Sequence, residues 1–238
     1  PCCATKFGTL VGSIQTQLVD VPEVGAKLDS RSGVYSGQDW VVNEFSEKSQ
    51  NQANEIAKKF GDFIYKEGYK GIFGLDLIVD KNGEVWPVEC NPRETDAFPV
   101  ILMLQMEKGA IPFQVFHNLE HLNIPYEIDF DEINKSYKSK YFASQLILFN
   151  KSIKTAVDRK VIKAGVYKLN GENIEFIREG FATWHLENEG EFLITEDVNK
   201  FVGNVYDPHE RVLRFVCRGQ MVDKEGNVLA NRVKAISK

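Results

Sequence analysis

The stretch IFGLDLIVDKNGEVWPVECNPR, residues 72–93, places two acidic side chains, Asp76 and Glu89, within segments that otherwise alternate like half-buried β-strands. Between these segments, Asn82-Gly83 is a strong hairpin signal, because a two-residue type I′ turn requires positive φ at both central positions. Counting outward from this turn pairs Asp76 directly with Glu89. The sequence therefore predicts two like charges that face each other at a defined register.

The same register gives the hairpin a second, apolar side. The predicted pairs on this apolar side are Val79 with Trp86, Leu77 with Val88 and Leu75 with Cys90. Gly74 with Asn91 is predicted to join the acids on the polar side, and Lys81 is predicted to pair with Glu84 at the turn. Directly opposed carboxylates are destabilising unless a positive charge lies between them. Carboxylate and amide oxygens are the ligands that Mg²⁺ prefers, so the polar side is predicted to bind a metal ion. The alternative is a solvent-facing polar side on which the two acids meet by chance.

The composition limits the classes of function. A chain of 238 residues with 43% hydrophobic residues is long enough for one or two domains with buried cores. The net charge of −5 argues against nucleic acid as a partner, because nucleic-acid-binding proteins carry a basic surface. The longest apolar runs are shorter than the roughly 20 residues that a membrane helix needs, so no membrane partner is expected.

The first residues, PCCATKFG, lack the pattern of a signal peptide and an initiator Met. We therefore expect a cytoplasmic protein whose sequence is processed or truncated. The cysteines stand at positions 2, 3, 90 and 217, without a C-x-x-C pair or the spacing of zinc ligands. Free thiols in a reducing compartment are the expectation, with Cys90 in the core and Cys2-Cys3 as an alternative redox pair.

Local patterns predict the elements around the hairpin. Residues 7–21 alternate like one or two strands, and residues 30–40 are rich in Gly and Ser, as in a loop. An amphipathic helix is predicted to follow, with Ser46 as its N-cap and Gly68 as its C-terminal stop. Two more helices are predicted after the hairpin: one runs from Pro99 to Gly109 and another begins at Pro112.

The character of the chain changes beyond about residue 130. Residues 135–163 contain eight Lys or Arg and one acid, which favours a solvated face or linker over a site for phosphate or a partner. Short β-like runs follow, separated by turn signals: GVYKL, IEFI, EFLIT, RVLRFVC and NVLANRV. We therefore predict a β-rich C-terminal domain over residues 131–238.

A strand carrying an acid, a hairpin turn and a strand ending E-x-N-P-R together resemble the metal-binding end of the ATP-grasp superfamily. The matching residues are Asp76, Glu89, Asn91 and Arg93. SGQDWVV at 36–42 and GAIPFQVFHNL at 109–119 are similar to the flanking segments of the carbamoyl-phosphate synthase and biotin carboxylase branch. The resemblance covers residues 5–122. It implies an α+β fold in which residues 1–130 form the C-terminal half of an ATP-grasp fold, an antiparallel sheet with flanking helices.

The resemblance also implies roles for these residues. Asp76 and Glu89 would hold one or two Mg²⁺ (or Mn²⁺) ions that bridge the β- and γ-phosphates of ATP, and Asn91 would complete the coordination. Arg93 would contact the transferred phosphoryl group, since its planar fork suits phosphate oxygens. The alternative for Arg93 is a structural salt bridge with Glu94 or Asp96.

The implied activity is an ATP- and Mg²⁺-dependent ligase that activates a carboxylate or bicarbonate as an acyl phosphate for attack by an amine or other nucleophile. A carbamoyl-phosphate synthase-like subunit and a non-catalytic binding or assembly subunit are the alternatives. The expected partners are ATP and a small carboxylate, with a possible homo-oligomer. A complete ATP-grasp unit has a preceding half with phosphate-binding lysines and a Gly-rich lid, so this chain is expected to lack that half and to bind ATP·Mg²⁺ weakly.

A weaker signal lies in HNLEH, residues 117–121, which matches the H-x-x-E-H pattern of a class of zinc proteases. Two histidines at i and i+4 on a helix can bind zinc, with Glu120 as the general base. An exposed polar helix face is the favoured alternative, because no third ligand stands at a suitable spacing.

Overall fold

The computed structural model of the protein describes residues 1–25, 33–41, 45–152, 154–157, 162–171, 173–196, 203–221, 223 and 229. The strands, in chain order, are β1 Cys2–Thr5, β2 Gly8–Val11, β3 Thr16–Val19, β4 Tyr35–Asp39, β5 Gly71–Val79, β6 Val85–Asn91, β7 Ala143–Phe149, β8 Ala156–Val157, β9 Gly165–Asn170, β10 Asn173–Arg178, β11 Glu191–Glu196, β12 Val205–Tyr206 and β13 Arg211–Arg218. The α-helices are α1 Glu47–Lys66, α2 Phe98–Glu107, α3 Phe113–His121 and α4 Phe130–Ser136, and 3-10 helices lie at Pro22–Val24 and Thr183–His185.

The strand pairs among these residues are antiparallel, and helices flank the first sheet. The predicted α+β class with antiparallel sheets and flanking helices is therefore confirmed. The chain divides into two compact units, each made of two segments. The first unit contains Pro1–Ile14 and Asn43–Lys140, and the second contains Gln15–Val42 and Tyr141–Lys238.

The first unit is a four-stranded sheet in the order β2-β1-β5-β6, with β6 at one edge. Helix α1 packs on one face, where Ala57 joins a core cluster with Cys2, Ala4 and Phe73. Helix α3 contacts β1 and β5, and the Cys3 thiol lies 3.9 Å from the carbonyl of Phe113 at the start of α3. Helices α1 and α3 therefore pack against the part of the sheet where β1 pairs with the beginning of β5.

Helix α1 begins and ends as its sequence predicts. The Ser46 side chain accepts a hydrogen bond from the backbone N–H of Ser49, at 3.1 Å, as an N-cap does. At the other end Gly68 has a φ of 96°, and the N–H of Tyr69 donates to the carbonyl of Ile64, which satisfies a terminal carbonyl of the helix. The predicted helices after the hairpin are also found, as α2 and as α3 with Pro112 at its N-cap.

The second unit is a seven-stranded sheet in the order β10-β9-β11-β13-β7-β4-β3, beside a two-stranded pair of β8 and β12. Its core includes Leu146, Phe192, Ile194 and Phe215, all fully buried or nearly so. Four of the predicted β-runs are strands here, namely β9, β10, β11 and β13. The fifth, NVLANRV at 227–233, lies outside the described residues apart from Leu229.

Two predictions about this unit are wrong. The predicted loop at 30–40 contains the buried strand β4, and the predicted basic linker at 135–163 contains β7, which lies between β13 and β4. In both cases, hydrogen bonding between distant segments overrides the local composition: Gly37 pairs with Leu146, and a Cβ on Gly37 would lie 2.1 Å from the carbonyl oxygen of Gln145. Glycine is needed there because the two backbones approach closely.

The boundaries of the two units differ from those of the predicted domains. The predicted boundary is between residues 130 and 131, whereas the units separate between Lys140 and Tyr141. Residues 15–42 belong to the second unit because β3 pairs with β4 and β4 pairs with β7. No helix of the described residues has the length and apolar character needed to span a membrane.

Candidate functional site

The acid pair of the hairpin is present as predicted. Strands β5 and β6 pair antiparallel, with Asp76 opposite Glu89, Leu75 opposite Cys90 and Gly74 opposite Asn91. Side chains directly opposite each other in such a pair have Cβ atoms about 4.5–5.5 Å apart. Asp76 is half-buried and Glu89 is exposed, so the two carboxylates share one face of the sheet at a position that solvent can reach.

The turn that sets this pairing differs from the prediction. Gly83 has a φ of 79°, but the φ of Asn82 is not positive. A type I′ turn needs positive φ at both residues, so the turn is not type I′. Instead, the N–H of Gly83 donates to the carbonyl of Asp80, and the N–H of Asp80 donates to the carbonyl of Glu84. This is a type I turn followed by a left-handed glycine, the usual form of a longer hairpin connection.

The Asp80 side chain stabilises the turn, a role that was not predicted. Its Oδ1 accepts the backbone N–H groups of Asn82, at 2.8 Å, and Glu84, at 3.1 Å. These hydrogen bonds lower the pKa of Asp80 below its ordinary value. An aspartate whose side chain accepts a hydrogen bond from the backbone N–H two residues later is a known turn signal. Asp80 is therefore a signal in the sequence for the turn that forms.

A β-bulge then restores the register. Near the turn, Val79 pairs with Val85, and Ile78 pairs with Trp86. The shift between Asp76 and Leu77 leaves Val88 as an extra residue in β6. The predicted pairs Lys81 with Glu84, Val79 with Trp86 and Leu77 with Val88 are therefore wrong. The longer turn shifts the pairing by one residue and the bulge shifts it back, so Asp76 still lies opposite Glu89.

This register moves Trp86 to the face of the acid pair. By alternation, Gly74, Asp76 and Ile78 share one face of β5, and their partners are Asn91, Glu89 and Trp86. Trp86 and Ile78 are each 57% exposed. The face therefore has an amide and a glycine at one end, two carboxylates in the middle and an exposed apolar pair at the turn end.

The electrostatics of the pair follow from this geometry. Burial, and then the charge of Glu89, raise the pKa of Asp76 above its ordinary value, while the amino group of Pro1 and then Arg93 oppose the shift. Since two negative charges at this position are mutually unfavourable, the site favours a proton or a cation. The described residues contain no group of three or more His, Cys, Asp or Glu side chains that could hold a metal ion, so further ligands would have to come from the Asn91 amide, water or a bound anion.

Arg93 lies beside Asn91 just after β6. Its guanidinium donates to Asn91 Oδ1 at 3.2 Å and to the backbone carbonyl of Glu94 at 3.1 Å. It thus contacts Glu94 through the main chain and not through the carboxylate. The side chain is exposed, so most of its donors remain accessible to an anionic ligand.

The N-terminal turns of α1 hold the tip of the hairpin. Ser49 Oγ donates to the carbonyl of Gly83 at 2.8 Å, and Gln52 forms hydrogen bonds with both backbone groups of Val85 at 3.2 and 3.4 Å. Lys48 pairs with Glu84 on the surface. These contacts connect a regular helix to the turn, so they fix the end of the strands on which the acids stand.

The zinc hypothesis for HNLEH is not supported by the contacts of its residues. His117 Nδ1 accepts the N–H of Ile72 at 3.2 Å, which uses the lone pair of the neutral imidazole. Burial, with a further contribution from His121, lowers the pKa of His117. Glu120 is buried and accepts hydrogen bonds from the Lys6 N–H, Tyr65 and Tyr126. These residues stabilise the contact between α3 and the sheet.

The cysteines are free thiols within the described residues, as expected from their spacing. Cys2 and Cys3 are buried on opposite faces of β1, because adjacent strand residues alternate. Burial raises the pKa of both thiols. This disfavours the thiolate that redox chemistry needs, and it argues against the alternative redox pair.

An α+β unit with an antiparallel sheet, flanking helices and a carboxylate pair on its edge hairpin is consistent with an ATP-grasp fold. Among curated proteins, the chain is similar to the [butirosin acyl-carrier protein]–L-glutamate ligase of Niallia circulans, with 30% identity over 111 residues. The aligned part is 44% of this chain and 26% of that protein, so the chain spans about a quarter of the length of this relative.

This similarity supports the ATP-grasp superfamily and a ligase of that general kind. It does not bear on the predicted carbamoyl-phosphate synthase and biotin carboxylase branch, which stays a prediction. No protein-family profile matches the chain, and no solved structure matches it significantly.

Proposed function

We propose that the protein contributes the Mg²⁺-binding side of the active site of an ATP-dependent ligase that activates a carboxylate as an acyl phosphate. The observation that carries this proposal is the pairing of Asp76 with Glu89 on an open face of the hairpin, beside Asn91. Two opposed acids have an unfavourable interaction in the free protein, and a divalent cation would relieve it.

The donor set fits magnesium. Mg²⁺ in proteins commonly takes one or two carboxylates, and water and substrate phosphates complete its octahedron. Asp76 and Glu89 would supply the two carboxylates, and Asn91 an amide oxygen with a second lone pair beyond its bond to Arg93. When bound, the ion would neutralise the negative charge of the nucleotide phosphates.

Arg93 would orient the transferred phosphoryl group. It is exposed at the Asn91 end of the face, and its backbone is fixed by a hydrogen bond from its N–H to the carbonyl of Asn91 at 2.8 Å. A planar guanidinium offers several donors in a fixed geometry, which suits phosphate oxygens whose charge grows during transfer.

The similarity to the ligase supports the proposed substrate class. The name of the Niallia circulans protein describes the joining of L-glutamate to an acyl-carrier protein. From this name we take only the reaction class for our proposal. A small carboxylate would accept the phosphoryl group, and an amine or other nucleophile would be the second reactant. A carbamoyl-phosphate synthase-like activity would differ in accepting bicarbonate first, and ADP release with bicarbonate alone would identify it.

The test is Glu89→Gln in the full-length protein. The neutral amide keeps the shape of the side chain but binds Mg²⁺ poorly, so we expect ADP release with a panel of amino acids to be abolished and Mn²⁺ affinity, measured by electron paramagnetic resonance, to fall at least tenfold. The control is Glu84→Gln, which removes a carboxylate that pairs with Lys48 on the surface and should leave both readouts unchanged.

The fold is expected to survive Glu89→Gln, because the side chain is exposed. Normal turnover with a lower melting temperature would show that Glu89 is a structural acid. Normal Mn²⁺ binding in the unsubstituted protein without ADP release for any carboxylate would favour the alternative of a non-catalytic subunit that keeps the fold.

A further inference from the structure

Thr95 lies over the acid-pair face because Gly74 has no side chain. A Cβ on Gly74 would lie 2.8 Å from Thr95 Cγ2, 3.6 Å from Thr95 Oγ1 and 3.7 Å from Asn91 Cβ. Gly74 and Asp76 are two residues apart on the same strand, so that missing Cβ would point to the face that carries the acids. The Thr95 side chain therefore occupies the position directly next to Asn91 on this face.

The backbone of Thr95 is anchored, but its hydroxyl is available. The carbonyl of Thr95 accepts the N–H of Phe98 at 3.0 Å, at the start of α2. Within the part of the chain that the structure describes, Thr95 Oγ1 has no hydrogen-bond partner, and the residue is only half-buried. A fixed hydroxyl without a protein partner can donate to a ligand at low entropic cost.

Two donors therefore stand at the same end of the face. Arg93 donates to Asn91, and Thr95 and Asn91 both approach the position of the missing Gly74 Cβ. Ile78 and Trp86 make the opposite end apolar. Gly74 is about 7 Å from Asp76 along the strand, a length that a polyphosphate can bridge. Phosphate oxygens near two carboxylates need neutral or positive donors, and this end supplies them.

We propose that Thr95 contacts the nucleotide, its hydroxyl donating a hydrogen bond to a phosphate oxygen of the metal-bound ligand, and that the absent side chain of Gly74 sets its position. This inference rests on the proposed function and adds a residue that the E-x-N-P-R resemblance did not single out. The predicted ligand contact is to phosphate, so tripolyphosphate is a sufficient probe.

The first experiment compares Thr95→Val with Thr95→Ser. Valine keeps the shape and removes the hydroxyl, whereas serine keeps the hydroxyl. With saturating Mg²⁺, we expect the dissociation constant for tripolyphosphate, followed by ³¹P nuclear magnetic resonance, to rise about tenfold or more in Thr95→Val and to stay near the original value in Thr95→Ser. Thr155→Val, which removes a hydroxyl bonded to Asp207 in the second unit, is the matched control and should bind normally.

The second experiment uses the contact with Gly74. Alanine at position 74 would push Thr95 Cγ2 away from a distance of 2.8 Å, so Gly74→Ala is expected to weaken tripolyphosphate binding as Thr95→Val does. Serine at position 95 would lack Cγ2, and the distance of 3.6 Å between the hydroxyl oxygen and the added Cβ is an ordinary van der Waals contact. The double variant Gly74→Ala/Thr95→Ser is therefore expected to regain affinity, which loss of a merely structural residue would not produce.

Mn²⁺ binding separates the possible failures. We expect Mn²⁺ alone to bind all these variants within about twofold of the original protein, since none of them alters a carboxylate. Normal Mn²⁺ binding with unchanged tripolyphosphate affinity in Thr95→Val would overturn the role of Thr95 alone. Absence of Mn²⁺ binding in the unsubstituted protein would overturn the metal site of the proposed function and the Thr95 contact with it.

Discussion

At the scale of single residues, the acid pair was predicted correctly because two deviations from the predicted register, the longer turn and the bulge at Val88, cancel before Asp76 and Glu89. The turn was not predictable from Asn82-Gly83 alone, since the Asp80 side chain favours a different turn by bonding two backbone N–H groups. Pro87 was a further signal: proline occurs in edge strands and near bulges, and it stands next to the extra residue Val88. Thr95 had no sequence signal beyond the glycine opposite Asn91.

The raised pKa of Asp76 predicts a stabilising substitution. A carboxyl group with a folded-state pKa above its unfolded value contributes stability at low pH that is lost as the pH rises through the folded value. In the absence of metal at pH 7, Asp76→Asn should therefore raise the melting temperature, by roughly 2 °C. The gain should shrink as the pH is lowered, because Asp76 then takes up a proton in the original protein.

Magnesium should reverse the order of the two proteins. The ion is expected to raise the melting temperature of the original protein and to leave that of Asp76→Asn unchanged, because binding to the folded state stabilises it. Calorimetric scans with EDTA and with Mg²⁺ provide the measurement, and Glu84→Gln provides the control. A lower melting temperature for Asp76→Asn in EDTA would show that the acids do not repel each other.

At the scale of elements, helices with caps and amphipathic spacing were predicted well, because their signals lie within a few residues of each other. Strand β4 was missed because its residues, YSGQD, are small or polar and it is buried through pairing with β7. Contacts between elements also depend on residues that look unremarkable in sequence. Gly61 is one: a Cβ there would lie 2.4 Å from Thr9 Oγ1 and 2.9 Å from Phe73.

Gly61→Ala should therefore destabilise the protein although alanine favours helices. Overpacking a close contact costs about 1–3 kcal/mol, and the gain in helix propensity offsets up to about 1 kcal/mol of it. We expect a net loss of free energy of unfolding, measured by urea denaturation. Asn51→Ala, at an exposed position of the same helix, should be neutral or stabilising. Equal stabilisation by both alanines would show that α1 and the sheet can separate slightly without cost.

The contact between α3 and β5 should make the first unit sensitive to acid. His117 has a lowered pKa because it is buried, with a further contribution from His121, while Glu94 opposes the shift. A group with a folded-state pKa below its unfolded value stabilises above the unfolded value, about 6.5 for histidine, and this contribution is lost as the pH falls towards the folded value.

We therefore expect the melting temperature of the original protein to fall more steeply between pH 7 and pH 5 than that of His117→Gln, which does not titrate. His121→Gln, on the exposed side of the same helix, is the control and should keep most of the steep dependence, because burial is the larger cause of the lowered pKa of His117. Parallel curves for His117→Gln and the original protein would mean that another group causes the acid sensitivity.

At the scale of the whole molecule, the α+β class could be predicted because it follows from the order of local patterns. The division into units could not, since residues 15–42 join the second unit through pairing between strands more than 100 residues apart in sequence. Local periodicity carries no information about such pairing. The ion pair of Arg178 with Glu191 was also not predicted, because neither residue stands out in the sequence.

Glu191 should determine the acid limit of the second unit. Its side chain is buried and bonded to Arg178 and Asn188, which lowers the pKa of Glu191 to about 2. The stability it contributes is present above its ordinary value of 4.5 and is lost as the pH falls from there to about 2.

Glu191→Gln is expected to reduce the free energy of unfolding by about 2–3 kcal/mol at pH 7, because Arg178 loses its charged partner. The loss should shrink strongly as the pH falls towards 2. Glu175→Gln, on the exposed edge strand β10, is the control and should have little effect. A loss that persists unchanged at pH 2 would assign the effect to packing and not to the ion pair.

The bulge at Val88 has a consequence for insertions and deletions. The odd-length turn and the extra strand residue shift the count of β6 by one in opposite directions, and Glu89 faces Asp76 because the shifts cancel. Because Val88 is the unpaired residue of the bulge, removing one residue of β6 between Trp86 and Val88 would close the bulge and leave Glu89 opposite Asp76. A one-residue deletion here is therefore expected to preserve the acid pair, and the distance in sequence between the two acids does not by itself define the site.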